Sequence, residues 1–326
     1  MLEVIEIGPL FGESGLERAD IDAAVGAAAS TVGVLLISGP AGSVSCGAAT
    51  RESMLRVFAL APQQQRALWR RSYARENEAV YRGWSPRGGE VAVDIYDLGP
   101  DIAHARGEAS DDPLLGLTPL PALGLLPGWQ ETVADYYRAM ERVGAALMRS
   151  LARWLGLRET AFAATFAGGI STLRLMRYER AAAAASGSTG PRAQPGRGEH
   201  VDSGFVTLLA QHGVGGLQAQ TREGEWIEIP ALDEAIVVNF GALLERWTSG
   251  RVRATPHRVL SAAPTRYSIP FFFEPRADAV IEPLPLPDAV PFEPFSYGDH
   301  LWAAIAAFPN FVDIADLRTP RGIAAA

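Results

Sequence analysis

The pattern of hydrophobic and polar positions divides the chain into a helical first half and a strand-rich second half. Over residues 132–155, apolar side chains recur at helical spacing, while Arg138, Glu141 and Arg142 fall on the opposite side. This arrangement is typical of an amphipathic helix packed against a core. Further helices are predicted over residues 21–29 and 50–70, and strands over residues 4–7 and 32–38.

In the second half, the apolar runs become short and are separated by Gly, Pro and Asp. These runs span residues 172–178, 205–209, 216–219, 226–229, 235–240, 257–260 and 267–273. Short runs at such spacing favour an all-β sandwich or barrel. Residues 181–198, which are rich in Ala, Gly, Ser and Pro, are predicted to form a mobile loop.

The composition of the 326 residues narrows the class of protein and of partner. With 48% hydrophobic and 20% charged residues, the chain is expected to form one large folded unit. Its net charge of −8 provides no excess of positive charge that could bind a phosphate backbone, so nucleic acid is not an expected partner. The N-terminus lacks a basic region before an apolar stretch, and long uninterrupted apolar runs are absent, so neither a signal peptide nor a membrane span is predicted.

Two residue types limit the possible chemistry. Cys46 is the one cysteine, which excludes an intramolecular disulfide and a cysteine-rich metal site and fits a reducing compartment, the cytoplasm. All 29 basic residues are arginine and none is lysine. A pyridoxal phosphate Schiff base, a phosphate-binding P-loop and a kinase active site each need a lysine amine, so these classes are excluded.

A candidate metal site begins at His200 and Asp202. On an extended segment, side chains two residues apart point to the same face, so an imidazole and a carboxylate would lie together. Such a pair alone is more often a surface or capping interaction, and a third ligand is needed. His257 opens a later strand-like run, which an antiparallel sandwich can return beside the first.

Two imidazoles and one carboxylate leave adjacent coordination positions open, which suits Fe(II) that must bind O2 and a chelating substrate together. Zinc bound by the same three ligands, for hydrolysis, is the alternative. The segment after His257 favours iron. There, Arg266 and Ser268 present a guanidinium and a hydroxyl on one face of a strand, where they can bind a carboxylate. An isolated Arg-x-Ser pair would more often satisfy an acid of the core.

Several motifs in a fixed order now resemble a known family, the isopenicillin N synthase-like iron(II)/2-oxoglutarate-dependent dioxygenases. The similarity spans nearly the whole chain and is strongest at residues 198–209, 215–218, 224–227, 239–241, 244–250, 255–259 and 266–273. The chain departs from the family at Val201 and Ser203, where relatives commonly carry Thr and Tyr, and at Ala242, where Asp is usual. None of these changes falls on a predicted ligand.

The resemblance implies a fold that is mainly β with flanking helices (α+β), built on a double-stranded β-helix, or jelly-roll, core. It implies a single catalytic unit over residues 1–326. Within it, residues 1–165 form an N-terminal part of helices and strands, residues 166–280 the jelly-roll core with the iron site, and residues 281–326 a C-terminal extension.

The same resemblance implies the cofactors and their ligands. His200, Asp202 and His257 match the iron ligands; Arg266 and Ser268 match the pair that binds the distal carboxylate of 2-oxoglutarate. Tyr178 matches a tyrosine that often contacts this co-substrate. With O2, such an enzyme hydroxylates, desaturates or cyclises a small organic or natural-product substrate and releases succinate and CO2.

Two alternatives remain open at this point. One is an Fe(II) oxidase of the isopenicillin N synthase type, which keeps the same ligands but does not use 2-oxoglutarate. The other is a non-catalytic jelly-roll binding module.

The candidate substrate contacts fall into two groups. In relatives, the region that matches Tyr81, Arg82 and Trp84 approaches the mouth of the pocket. Phe205, Leu217 and Phe271 are apolar candidates for its wall, although ordinary core packing explains them equally well. Neither the identity of the substrate nor the oligomeric state is predicted.

Overall fold

The computed structural model describes residues 2–12, 15–39, 46–88, 93–105, 110–179, 198–260, 265–307 and 309–323. Apart from Gly198, the predicted loop at residues 181–198 lies outside the described residues. The described strands are β1 Val4–Glu6, β2 Val34–Ser38, β3 Gly83–Ser85, β4 Val93–Leu98, β5 Thr172–Glu179, β6 Val206–His212, β7 Leu217–Gln220, β8 Trp226–Ile229, β9 Ile236–Phe240, β10 His257–Val259, β11 Thr265–Phe273, β12 Val280–Ile281 and β13 Phe295–Ser296. The α-helices are α1 Leu16–Thr31, α2 Ala48–Leu55, α3 Pro62–Arg66, α4 Trp129–Trp154, α5 Ala163–Phe166, α6 Ala242–Trp247 and α7 Tyr297–Ala306.

Two sheets form the core of the fold. The major sheet has the order β1-β2-β9-β6-β11-β5-β4-β3 and is antiparallel except for the β1–β2 pair, and the minor sheet has the order β10-β7-β8. Apolar side chains from both sheets pack together between them, such as Leu209 and Val237 of the major sheet with Leu217 and Val259 of the minor sheet. This architecture confirms the predicted mainly β fold with flanking helices. Strands β1–β4 belong to the same sheet as β5, whereas the predicted part boundaries at residues 165 and 280 stay predictions.

The alternation of side chains along β11 assigns a role to each face of the major sheet. Arg266 and Ser268 lie on the face toward the minor sheet, whereas Phe271 and Phe273 lie on the face toward helix α4. The ring of Phe271 packs edge-on against Tyr137 of α4, with 5.0 Å between the ring centroids. One face of the strand therefore builds the core and the other is available for chemistry.

Helix α4 confirms the helix predicted over residues 132–155. It lies so close to the sheet that a Cβ atom on Gly144 would be 2.5 Å from the ring of Phe273. The N-terminal helix α1 approaches α4 equally closely, because a Cβ atom on Gly26 would lie 2.2 Å from the indole of Trp154. Glycine at these two helical positions permits the close packing of the helical layer.

The single helix predicted over residues 50–70 is wrong. The structure has α2, a 3-10 helix at Arg56–Ala59 and the short helix α3. Pro62 begins α3, and its ring disfavours helical backbone at the preceding residue, so the helix cannot run through. Beyond α3, Trp69 forms a parallel bridge with Trp84 of β3.

Within the part of the chain that the structure describes, no helix combines the length and the apolar character needed to cross a membrane.

Candidate metal centre

His200, Asp202 and His257 come together at one end of the two sheets. His257 opens β10, and the backbone of His200 pairs with it through hydrogen bonds of 3.0 and 2.9 Å. The Nε2 atoms of His200 and His257 lie 3.7 and 3.8 Å from Oδ1 of Asp202. The three ligand atoms lie within 4.8 Å of one another, so the structure brings the predicted triad together.

Both imidazoles are oriented by the backbone next to them. Nδ1 of His200 is 2.9 Å from the carbonyl oxygen of Gly198, and Nδ1 of His257 is 3.0 Å from that of Thr255. A carbonyl oxygen accepts only, so each Nδ1 carries the proton that it donates. In the neutral ring, Nε2 then keeps its lone pair and can bind a metal ion.

Asp202 is oriented by the major sheet. Its Oδ2 accepts hydrogen bonds from the hydroxyl of Thr207 on β6, at 2.6 Å, and from the amide of Asn239 on β9, at 2.8 Å. Burial acts to raise the pKa of this carboxyl, but His257 and these hydrogen bonds outweigh it and lower the pKa. The carboxylate is therefore ionised at neutral pH, with Oδ1 directed toward the two imidazoles.

The donor set fits a divalent metal ion. Two imidazole nitrogens and one carboxylate oxygen converge, and partners on the far side hold all three in position. Three protein ligands leave positions for other molecules, as a catalytic iron or zinc site requires. His257 belongs to the minor sheet and Asp202 is held by residues of the major sheet, so a bound ion would link the two sheets.

Arg266 and Ser268 lie on the inward face of β11 and are both buried. The guanidinium of Arg266 is 1% exposed, and none of its three nitrogens has a hydrogen-bond partner among the described residues. It lies over the ring of Tyr178, 5.5 Å from the centroid. Tyr178 is paired with Arg266 in the β5–β11 register, and its hydroxyl contacts the sulfur of Met176 at 3.4 Å. The structure thus brings the three predicted co-substrate residues together.

A cavity of about 550 Å³ adjoins the triad. His200 and Asp202 line it on one side, and inward residues of β4 and β5, such as Ile95 and Met176, line it on another. Its volume lies within the ordinary range for sites that bind small molecules.

Only some of the predicted substrate residues line this cavity. Tyr81 and Phe205 line it. Arg82, Trp84, Leu217 and Phe271 are buried and are not among its lining residues.

Each of these four residues has a structural contact instead. Arg82 donates to the hydroxyl of Thr172 and to the carbonyl of Ile170, and the indole nitrogen of Trp84 donates to Asp94 at 3.2 Å. Leu217 packs between the sheets, and Phe271 points toward α4 because it is one residue out of phase with Arg266.

Other residues at this site were not identified from the sequence. Thr207 and Asn239 orient Asp202, yet an isolated Thr or Asn in a strand carries no sequence signal for that role. Arg70, Arg174 and Glu274 line the cavity with charged groups. The alternation of β5 offered one usable signal, because it places Arg174 on the same face as Tyr178.

Comparisons with known proteins agree with this geometry. The profile of the 2OG-Fe(II) oxygenase superfamily matches residues 173–275. Isopenicillin N synthase of Streptomyces clavuligerus is 31% identical over 265 residues, which cover 76% of this chain and 78% of that enzyme. A 2-oxoglutarate-dependent dioxygenase of Aspergillus rugulosus is 32% identical over 191 residues, which cover 55% of this chain and 56% of the relative. The solved structure of a full-length Neurospora crassa protein in complex with alpha-KG superimposes with a TM-score of 0.79 at 22% identity, over 94% of this chain and 96% of that chain.

The chain belongs to the 2OG-Fe(II) oxygenase superfamily, which confirms the family predicted from the motifs. The similarity to the solved structure confirms the jelly-roll fold. For four relatives, the alignments cover 61%, 56%, 44% and 50% of the relative's length, so the chain spans roughly half of these proteins.

Proposed function

We propose that this chain is an Fe(II)- and 2-oxoglutarate-dependent oxygenase that hydroxylates, desaturates or cyclises a small organic molecule and releases succinate and CO2. The observation that carries the proposal is the buried guanidinium of Arg266, whose nitrogens lack acceptors among the described residues. A buried cation without acceptors is costly, and a carboxylate ligand would remove that cost. 2-Oxoglutarate has such a carboxylate, and several relatives are named as dioxygenases that depend on it.

Each residue of the site has a task in this proposal. His200 and His257 would hold Fe(II) through Nε2 and Asp202 through Oδ1, while Arg266 and Ser268 would bind the distal carboxylate of 2-oxoglutarate. When bound, iron and 2-oxoglutarate supply the oxidising chemistry with O2. The chain fixes the positions of both and surrounds the substrate with an apolar wall that excludes water. Tyr178 supports Arg266 from one side.

The alternatives account for less of the structure. A zinc hydrolase would use the triad but would leave Arg266 without a ligand, and a non-catalytic module would have no need of three oriented metal ligands. An oxidase of the isopenicillin N synthase type is consistent with the same ligands, and two such enzymes are among the relatives. It is distinguished by its product, because only the 2-oxoglutarate-dependent reaction releases succinate.

The proposed partner is a small molecule rather than nucleic acid. The cavity of about 550 Å³ and the net charge of −8 support this. A reducing compartment, the cytoplasm, is proposed because the chain has a single cysteine, Cys46, which is buried.

The proposal is tested by anaerobic calorimetric titration of the Fe(II)-loaded protein with 2-oxoglutarate. Arg266→Gln is expected to weaken binding by about 100-fold, because it removes the charge that pairs with the distal carboxylate. The matched control is Arg258→Gln, since Arg258 lies on the neighbouring strand β10 and bonds to Gln218. Equal affinities in wild type and Arg266→Gln would overturn the co-substrate assignment. If O2 is consumed with a substrate but succinate does not form, the reaction is that of the oxidase.

A further inference from the structure

A second buried arginine faces the cavity next to the metal centre. Arg70 is 1% exposed and lines the cavity wall. One of its terminal nitrogens donates to Asp97, but Nε and Nη1 have no hydrogen-bond partner among the described residues. The ring of Phe311 covers the guanidinium 4.4 Å away and offers no hydrogen-bond acceptor. Two nitrogens of Arg70, Nε and Nη1, therefore have N–H groups that are buried from solvent and donate no hydrogen bond to the described residues.

Arg70 shares its ion-pair partner among the described residues with a second arginine. Asp97 also accepts two hydrogen bonds from Arg174, at 2.6 and 2.9 Å, so one carboxylate serves two guanidinium groups. No other acidic side chain of the described residues forms an ion pair with either arginine. Burial lowers the pKa of Arg70, and Asp97 opposes that shift. Glu274 lines the same cavity and interacts with the charge of Arg174, but Nε and Nη1 of Arg70 remain without an acceptor among the described residues.

A hydroxyl group lies beside this charge. Ser85 lines the same cavity, and its Oγ is buried without a partner among the described residues. The backbone nitrogen of Arg70 donates to the carbonyl of Trp84 at 2.9 Å, which places Ser85 next to Arg70. Arg70 and Ser85 thus lie on adjacent backbone segments, and both have polar atoms at this cavity that lack a hydrogen-bond partner among the described residues.

The rest of the wall is largely apolar. Val93, Ile95, Met176, Leu301 and Ile305 line the same cavity as the charged group and the metal ligands His200 and Asp202. A ligand that satisfies both regions has an apolar body and one anionic end. Carboxylate is an anion whose size and acceptor oxygens suit one guanidinium and one hydroxyl.

We infer that the substrate of this enzyme is a small organic carboxylate whose acid group binds Arg70 and Ser85 while its apolar body reaches toward His200 and Asp202. This inference rests on the proposed function and assigns its substrate class. It also separates two sites for acid groups, one at Arg266 for the co-substrate and one at Arg70 for the substrate.

The first test compares matched ligands on the unmodified protein. Calorimetry measures binding of 4-phenylbutanoate against 4-phenylbutanamide, and of octanoate against octanamide, to anaerobic protein loaded with Fe(II) and saturating 2-oxoglutarate. At least one carboxylate is expected to bind about 10-fold or more tightly than its amide, as a charge-assisted hydrogen bond provides. Equal affinities within both pairs, or no carboxylate binding up to about 10 mM, would overturn the inference.

The second test locates the binding to Arg70. Arg70→Gln is expected to weaken carboxylate binding about 10-fold or more and to leave the amide unchanged, and Ser85→Ala to produce a smaller loss. Arg70→Lys should keep part of the affinity, because it keeps the charge. The matched control is Arg66→Gln, an exposed arginine four residues earlier that pairs with Glu76. Loss of carboxylate and amide binding in parallel, in variants whose circular dichroism matches wild type, would contradict the assignment.

The two proposals can fail separately. Arg70→Gln should leave 2-oxoglutarate affinity unchanged, whereas Arg266→Gln should reduce it. If wild type does not bind 2-oxoglutarate at all, the proposed function fails. The comparison of carboxylates with amides on metal-free protein then still decides whether Arg70 forms an anion site.

Discussion

The side-chain amide of Asn239 donates a 2.8 Å hydrogen bond to Oδ2 of Asp202 and thereby leaves Oδ1 directed at the two imidazoles. Asn239→Leu removes this bond at similar volume and lets the carboxylate rotate. We expect the affinity for Fe(II), or for Mn(II) as an air-stable probe, to fall by about 10-fold or more. Equilibrium titration measures the change.

Thr207→Val should act in the same direction, because Thr207 holds the same oxygen of Asp202 at 2.6 Å. Thr132→Val is the matched control, since Thr132 lies on helix α4 and its hydroxyl donates to the carbonyl of Gly128, the residue before that helix. Unchanged metal affinity in both site variants would show that Asp202 does not need these partners.

The hydroxyl of Ser268 should contribute less to 2-oxoglutarate binding than the charge of Arg266. Ser268→Ala is expected to raise the dissociation constant by about 10-fold, the lower end of the value for one hydrogen bond to a charged group. Calorimetry on the Fe(II)-loaded protein gives the number. Ser203→Ala, at an exposed serine beside the metal ligands, is the control. A loss as large as that of Arg266→Gln would mean that the hydroxyl, and not the charge, dominates.

Glu274 should make the stability of the protein depend on pH. Burial raises the pKa of its carboxyl from 4.5 to about 7, although nearby Arg82 and the hydroxyls of Tyr297 and Thr172 oppose the shift. The folded chain therefore binds this proton more tightly than the unfolded chain. The contribution of Glu274 to the free energy of unfolding is largest below pH 4.5, falls as the pH rises to about 7 and is level above that.

Urea unfolding of wild type and Glu274→Gln across this pH range measures that contribution. The stability of Glu274→Gln relative to wild type should increase from pH 4.5 to about 7. Glu225→Gln, at an exposed position, is the control. Parallel curves for wild type and Glu274→Gln would contradict the raised pKa.

Gly144→Ala should destabilise the protein even though alanine is the better helix former. Its Cβ atom would meet the ring of Phe273 at 2.5 Å. Overpacking of this kind costs about 1–3 kcal/mol, which exceeds the gain of about 1 kcal/mol in helix propensity. Thermal unfolding should show a lower Tm, and Phe273→Leu should restore part of it in the double variant. Gly15→Ala, where the added atom meets nothing within 4 Å, is the control.

Parts of the candidate site could be predicted from the sequence because the pairs that indicate them are only two residues apart. Strand alternation alone places His200 with Asp202 and Arg266 with Ser268, and the structure agrees with both pairings. The same rule could have removed Phe271 from the candidate wall, since it is an odd number of residues from Arg266. Here the information was present in the pattern.

The charged wall of the cavity could not be predicted in this way. Arg70, Asp97 and Arg174 come from three separate segments, and only the pairing of β4 with β5 brings the last two together. Arg70 was assigned to a long helix, because the helical periodicity of residues 50–70 hid the break at Pro62. Contacts between distant segments are set by tertiary packing, which periodicity does not report.

Strand β5 contributes residues to both proposed acid-binding sites from a single face. Tyr178 lies against Arg266, and Arg174 shares Asp97 with Arg70. One inserted or deleted residue inside β5 would turn part of this row toward the helical layer and damage recognition of co-substrate and substrate at once. Single side chains along β5 can therefore be exchanged one at a time, whereas a change in the length of the strand would displace the residues of both proposed sites together.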